Sequence, residues 1–266
     1  MRTAMAGMVA AGLFLTGPVA QAQTPPTGQR ASVQSILAAE RGETPEVRAL
    51  VAGKDPNARD KVHRRTALMW SIFLNDRAAF DRLLATPGAT VNARDDGGET
   101  ALLQAAEFAM KYDTAPLVEA LIAKGADPKL YSEGQAFTPL MHAANGNAPE
   151  VARALLAKLS RKDLELRNAE GMTALSIGAA VGASDVVRLL LEQGAVLEAT
   201  DDASKSALMH AAGHQFPGSL ATVALLLNKG ANPNAHDKDG NTPLSEAKRY
   251  GAPGVADLLQ KSGAKP

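Results

Sequence analysis

Five histidines and 28 acidic residues are the raw material for metal or acid–base chemistry, and the chain has no cysteine. Lack of cysteine removes disulfides, thiolate metal sites and a cysteine nucleophile together. His210 and His214 stand four residues apart and share a face of any helix that runs through both. Zinc needs three or four ligands, and no third lies near them in the sequence. His142 and His210 fall at equivalent places in sister segments two segments apart, too distant for one ion. The acid pairs Asp95-Asp96 and Asp201-Asp202 are of a type that does acid–base work, but they sit in polar turns and are expected to be solvated there. Asp237 to Asn241 (DKDGN) resembles part of a calcium loop without its spaced ligands or closing Glu. No HExxH, GxSxG or GxxxxGK[ST] occurs. No catalytic residues, metal site or cofactor are assigned, and binding is the chemistry left.

The N-terminus sets the expected compartment. Met1-Arg2 gives a positive start, Thr3 to Ala20 carries no charge, and Leu13-Phe14-Leu15 is its most apolar point. Gly17-Pro18 breaks the stretch, and Ala20-Gln21-Ala22 offers the small-x-small pattern of a cleavage site. A spanning helix wants about 20 predominantly apolar residues, and this stretch is diluted by Gly7, Gly12, Gly17 and Pro18. Residues 1–22 are therefore read as a cleavable signal peptide, with no membrane insertion after cleavage. No Cys follows the apolar segment, which argues against a lipid anchor. The Ala- and Gly-rich composition of this segment points to a bacterium and hence to the periplasm. Residues 23–31 (QTPPTGQRA) read as a polar linker, and residues 32–266 as one elongated domain. Cleavage leaves 266 − 22 = 244 residues, with 28 − 1 = 27 basic against 28 acidic. That balance does not call for nucleic acid or an anionic membrane as partner.

Internal similarity dominates the domain. TALMWS (from Thr66), TALLQA (Thr100), TPLMHA (Thr138), TALSIG (Thr173), SALMHA (Ser206) and TPLSEA (Thr242) are versions of one motif. Their spacings are 34, 38, 35, 33 and 36 residues, from the differences between those numbers. A Leu-rich amphipathic stretch follows each, usually with a Gly-Ala pair, as in VVRLLLEQGA ending at Ala195. The second half of an earlier copy spans Val47 to Asp60.

One unit reads residue by residue. The Thr or Ser is a helix N-cap whose hydroxyl takes up an orphan N–H. Pro139 and Pro243 follow it, where a missing N–H costs nothing. Pro45, Pro116, Pro149 and Pro253 are placed to start the second helix, and Glu46, Glu150 and Asp185 put negative charge near its positive end. Leu155-Leu156, Leu189-Leu190 and Leu258-Leu259 give that helix its apolar face. Gly125, Gly194, Gly230 and Gly263 suit a left-handed C-terminal cap. Polar runs such as NARDDGGE and NAHDKDGN fit an extended β-turn or hairpin finger.

This pattern resembles the ankyrin repeat over roughly Val33 to Ala264. The resemblance implies an all-α repeat solenoid of about six to seven stacked helix-turn-helix units with β-turn or hairpin fingers. Three departures stand out. The family often has His two residues after the Pro, where this chain has Met69, Leu103, Met141, Ser176, Met209 and Ser245, so that histidine's hydrogen bonds are expected to be missing. Repeat four runs LSRKDLELRN in place of the Gly-Ala pair. Repeats three and six carry longer connections (MKYDTAP and HQFPGSLA), which serve recognition or are tolerated insertions.

A repeat stack presents an extended concave surface rather than a deep pocket, and the resemblance implies that a partner protein docks on the fingers and first helices. Mapped here, the first-helix column is Trp70, Gln104, His142, Ile177, His210 and Glu246. Phe73, Leu74, Glu107, Phe108, His214, Arg249 and Tyr250 lie further along those helices. Arg65, Glu99, Phe137, Met172 and Lys205 lead the finger positions. The expected contact residues are Arg65, Trp70, Phe73, Glu99, Phe108, Phe137, His142 and His210. Trp70 shares its slot with polar residues in sister repeats and is expected to be partly exposed, an interface anchor. The chain reads as a non-enzymatic module, monomeric alone. Resemblance to exported bacterial ankyrin proteins implies an adaptor or stabiliser, with an oxidative-stress enzyme such as catalase as one class of client. The alternative is an immunity or inhibitor protein that neutralises a toxin or hydrolase.

Overall fold

Each repeat begins where a hydroxyl closes a helix. Thr66, Thr100, Thr138, Thr173, Ser206 and Thr242 accept the backbone N–H of the residue three positions on, at 3.2–3.4 Å. The computed structural model describes residues 44–265; the signal-peptide and linker expectations, and the start of the first repeat, lie outside the described residues. Among the described residues there are thirteen α-helices and no strands. The first-helix row is α2 (Ala67–Phe73), α4 (Ala101–Glu107), α6 (Pro139–Asn145), α8 (Ala174–Ala180), α10 (Ala207–Ala212) and α12 (Pro243–Arg249). The second-helix row is α1 (Pro45–Ala52), α3 (Arg77–Ala85), α5 (Ala115–Ala123), α7 (Pro149–Leu156), α9 (Ser184–Glu192), α11 (Ser219–Asn228) and α13 (Pro253–Lys261). The fold is the all-α repeat solenoid that the resemblance implies.

Small side chains let the first helices stack. Ala105, Ala143, Ala179 and Ala211 are fully buried, and each first helix packs on its neighbours in adjacent repeats. The second helices contribute the bulk: Leu83, Leu121, Leu155, Leu190, Leu226 and Leu259 are fully buried in one continuous core. Helices of six to ten residues are too short to be stable alone in water, so burial between repeats is what holds them. Second helices end as the glycines predict: Gly125, Gly194, Gly230 and Gly263 have φ of 88°, 89°, 92° and 90°. Repeat four, which lacks that glycine, continues into a 3-10 turn over Arg161–Glu165, where Ser160 donates to Asp163 Oδ2 from both N–H and Oγ.

The histidine departure is partly compensated. The N–H of Thr66 and of Thr138 meets the thioether of Met69 and of Met141 at 3.4 and 3.5 Å, and the Ser245 hydroxyl accepts from Thr242 N–H at 2.8 Å. A side chain reaching back from the third helical position thus survives in these repeats, with the imidazole replaced.

The fingers are turns rather than hairpins, because only two isolated bridges occur among the described residues, Arg59 with Thr66 and Thr200 with Ser206. What shapes them is a side chain five or six residues before the cap. Asp95 Oδ1 accepts the N–H groups of Gly97 and Glu99, Asn168 those of Glu170 and Met172, and Asp201 those of Ala203 and Lys205. Asp95 is 9% exposed, so it is not solvated as expected. Its partner Asp96 is exposed. Successive fingers are tied by backbone bonds, including Asp96 N to His63 O and Asp202 N to Glu170 O, at 3.0 and 3.2 Å. Finger and first-helix row therefore form one continuous surface.

Candidate protein-binding surface

The N-terminal half of that surface is organised around Trp70. Its indole N–H donates to Asp60 Oδ2 at 2.9 Å, and Asp60 also accepts the backbone N–H groups of Val62, His63 and Arg65. Burial alone would raise the Asp60 pKa; donation by His63 and the indole outweighs it and holds the carboxyl below its ordinary value. The Arg65 guanidinium lies over both Trp70 and Phe73, 5.5 and 5.2 Å from their centroids, and its Nε donates to Asp95 Oδ2 at 3.2 Å. Phe73 meets the Trp70 ring edge-on at 5.1 Å and the Phe108 ring at 5.5 Å, and Phe108 continues to Tyr112 at 6.4 Å. The longer connection of repeat three supplies Tyr112 and Lys111, whose ammonium lies 5.7 Å from the Phe108 centroid.

This arrangement corrects one expectation. Trp70 is only 4% exposed, and Gln104, Ile177 and Glu246 in the same column are buried too. The slot is not a half-open one. Its polar occupants are accommodated by internal partners: Glu246 meets Lys205 Nζ at 3.2 Å, and His210 Nε2 meets Asp201 Oδ2 at 2.9 Å. Trp70 forms the floor, while Phe73, Phe108 and Arg65 are half-buried above it and Tyr112 is 40% exposed. Phe137 is 8% exposed, packed edge-on against His142 at 5.2 Å. Arg65, Trp70, Phe73 and Phe108 are thus brought together, Phe137 and His142 form a second pair, and His210 stands apart with Asp201.

The sequence pattern does not single out Asp60, and it marks Lys111 and Tyr112 only as part of the longer connection MKYDTAP. Aligning the copies exposes the first of these, since an Asp or Asn stands five or six residues before most caps. At the C-terminal end, His214 is stacked between Phe216 and Tyr250 at 5.7 and 6.0 Å. It lies beyond the end of α10 and its Nδ1 faces His210 O at 2.9 Å. Among the described residues no group of three or more His, Asp or Glu is placed to hold a metal, and no helix is long and apolar enough to cross a membrane.

Repeats three and four also hold unpaired polar atoms. Glu99 Oε2, Gln104 Oε1 and His142 Nε2 are enclosed and make no hydrogen bond with the protein. Burial pushes the Glu99 pKa up to about 7, with repulsion from Glu107 and Asp95 adding to it and Arg65 and Ser132 opposing. Burial pulls that of His142 down to about 4.

These shifts give a pH signature. Glu99 binds its proton more tightly when folded, so its stabilising contribution is complete below about pH 4.5 and is lost as pH rises through about 7. His142 does the reverse: its contribution is complete above about pH 6.5 and is lost as pH falls through about 4. Between pH 4.5 and 6.5 the two slopes oppose. Glu99→Gln is expected to leave stability rising with pH across that window, and His142→Gln to leave it falling. Urea melts of the two variants at pH 4.5, 5.5 and 6.5 check this; parallel profiles would contradict the assignment.

A family model described as ankyrin repeats in three copies matches residues 107–201 and 196–266. The chain is 39% identical over 152 residues to the mouse B-cell lymphoma 3 protein homolog, covering 56% of this chain and 33% of that protein. It is 28% identical to Protein glp-1 of Caenorhabditis elegans over 82% of this chain and 18% of that one, and 29% identical to mouse inversin over 88% and 22%. The chain thus spans only about a fifth to a third of the length of these relatives. Ankyrin repeats are generally protein–protein interaction modules. With its capped helix pairs, left-handed glycines and stacked fingers, and with a family model matching more than half its length, the chain belongs to the ankyrin-repeat family.

Proposed function

We propose that this chain is a non-enzymatic adaptor or stabiliser that holds another exported protein in the periplasm, on the face made by its fingers and first helices. One observation carries the reading. Arg65, Phe73, Phe108 and Tyr112 form a continuous aromatic and cationic ridge over the buried Trp70. Aromatic and arginine side chains supply most of the energy at protein interfaces. Among the described residues, two cavities lie away from these side chains: about 120 Å³ beside Asn75 and Leu117, and about 320 Å³ beside Ala252 and Ala256. The surface consists of Arg65, Trp70, Phe73, Glu99, Phe108, Phe137, His142 and His210, with Trp70 acting from beneath.

The charge and residue pattern of residues 1–22 supports the periplasmic part of the reading. The mature form is expected to start at Gln23, which the intact mass of the periplasmic protein checks; a full-length membrane-bound species would overturn it. Affinity capture of that form from native periplasm, with mass spectrometry of the eluate, tests the partner. A housekeeping enzyme, such as one that handles oxidative stress, supports the adaptor. A toxic hydrolase makes the chain an inhibitor of the immunity kind. Recovery of nothing specific counts against both.

A further inference from the structure

Beneath the inner side of α4 lie two enclosed oxygens that no donor meets. Gln104 and Glu107 are three residues apart and share a helix face, and Glu99 precedes the Thr100 cap at the foot of the same face. Gln104 is 2% exposed and its Oε1 has no hydrogen-bond partner; neither has Glu99 Oε2. Glu107 stands exposed, and among the described residues no cation forms an ion pair with it or with Glu99. Burial first, and then repulsion from Glu107, lifts the Glu99 pKa to about 7. A buried polar atom left unpaired is destabilising, and all of these groups would be served by one chemistry: a donor-rich cation.

The same chain shows that chemistry one repeat earlier. Arg65, in the position that Glu99 takes in the next repeat, sets its guanidinium over Trp70 and Phe73 and donates to Asp95. In repeat three the arginine is replaced by a carboxylate, while a half-buried aromatic, Phe108, still borders the site.

We propose that the bound protein inserts one arginine side chain against the inner face of α4, its guanidinium shared by Glu99, Gln104 and Glu107. This rests on the protein-binding reading above. Five donors in a planar fork can serve oxygens on separate side chains, and the plane can stack on Phe108, which an ammonium does less well. Two cations already face these carboxylates: Arg65, held by Asp95, acts on both, and Lys111, which lies over Phe108, acts on Glu107. The guanidinium therefore stacks where Lys111 turns off the ring. Ser132 on the next finger lowers the Glu99 pKa. His142 on the neighbouring helix α6 is neutral above about pH 4.

The probe is acetyl-arginine methylamide titrated into the ¹⁵N-labelled protein at pH 8, with the citrulline analogue as a neutral isostere. Saturable shifts confined to residues 99–108 and 132 are expected with arginine and none with citrulline. The double variant Glu99→Gln, Glu107→Gln should weaken arginine binding at least tenfold while keeping its melt. Absence of saturable shifts, equal shifts with citrulline, or undiminished binding by the double variant overturns the anchor. A captured partner that binds the double variant as tightly as wild type would refute the anchor and leave the protein-binding reading intact. Arginine binding with no captured partner would support the anchor and count against that reading alone.

Discussion

Trp70→Ala is expected to cost about 3–5 kcal/mol of folding stability, the range for removing a large aromatic from a packed interior. The indole is 4% exposed and lies within the continuous core. Its loss also takes a donor from Asp60, one ring face from Arg65 and an edge contact from Phe73. Asp60 keeps three backbone donors, so the finger itself should survive. Trp70→Phe keeps an aromatic ring but removes the N–H and the pyrrole half of the indole, and should cost at least the about 1.5–3 kcal/mol of a hydrogen bond to a charged group. Urea melts read both. A Trp70→Ala cost below about 1 kcal/mol would mean that the slot is open after all.

Leu190→Ala is the second large effect, about 2–5 kcal/mol for a truncation at a fully buried site. Lys238→Ala, exposed at a finger tip, should be nearly neutral. Because each repeat touches only its neighbours, the damage from Leu190→Ala should be local. Hydrogen exchange is expected to quicken most in α8 and α9 and least in α2 and α3. Equal melts for the two variants, or uniform loss of protection, would contradict the register.

The caps, prolines and C-terminal glycines were legible because each answers a local backbone need that only a few residue types meet. Pro139 starts α6 and Gly194 closes α9 as their types dictate. The finger carboxylates were misread because an Asp in a Gly-rich turn looks solvated in sequence. Asp95 instead turns inward onto N–H groups two and four residues on. Trp70 was misread for a related reason. Polar occupants of a slot suggest water, but Glu246 and His210 are there with Lys205 and Asp201, which come from the fingers. Such pairings cross between elements, and no single helix pattern encodes them. The aromatic ridge was half legible: its members stood out by type, whereas their edge-to-face order depended on how α2 and α4 stack.

The central claim is that a partner protein docks on the finger and first-helix face, and the direct measurement is a calorimetric titration of the captured partner against two variants, each shown by its melt to be folded at the titration temperature. Phe108→Ala removes a half-buried ring from the ridge; Leu220→Ala removes a side chain 51% exposed on the second-helix row. Phe108→Ala is expected to lose about 2 kcal/mol or more of binding, roughly a thirtyfold weaker complex. Leu220→Ala should bind as wild type does. Unchanged affinity for Phe108→Ala together with a loss for Leu220→Ala would place the partner on the opposite face and contradict the account.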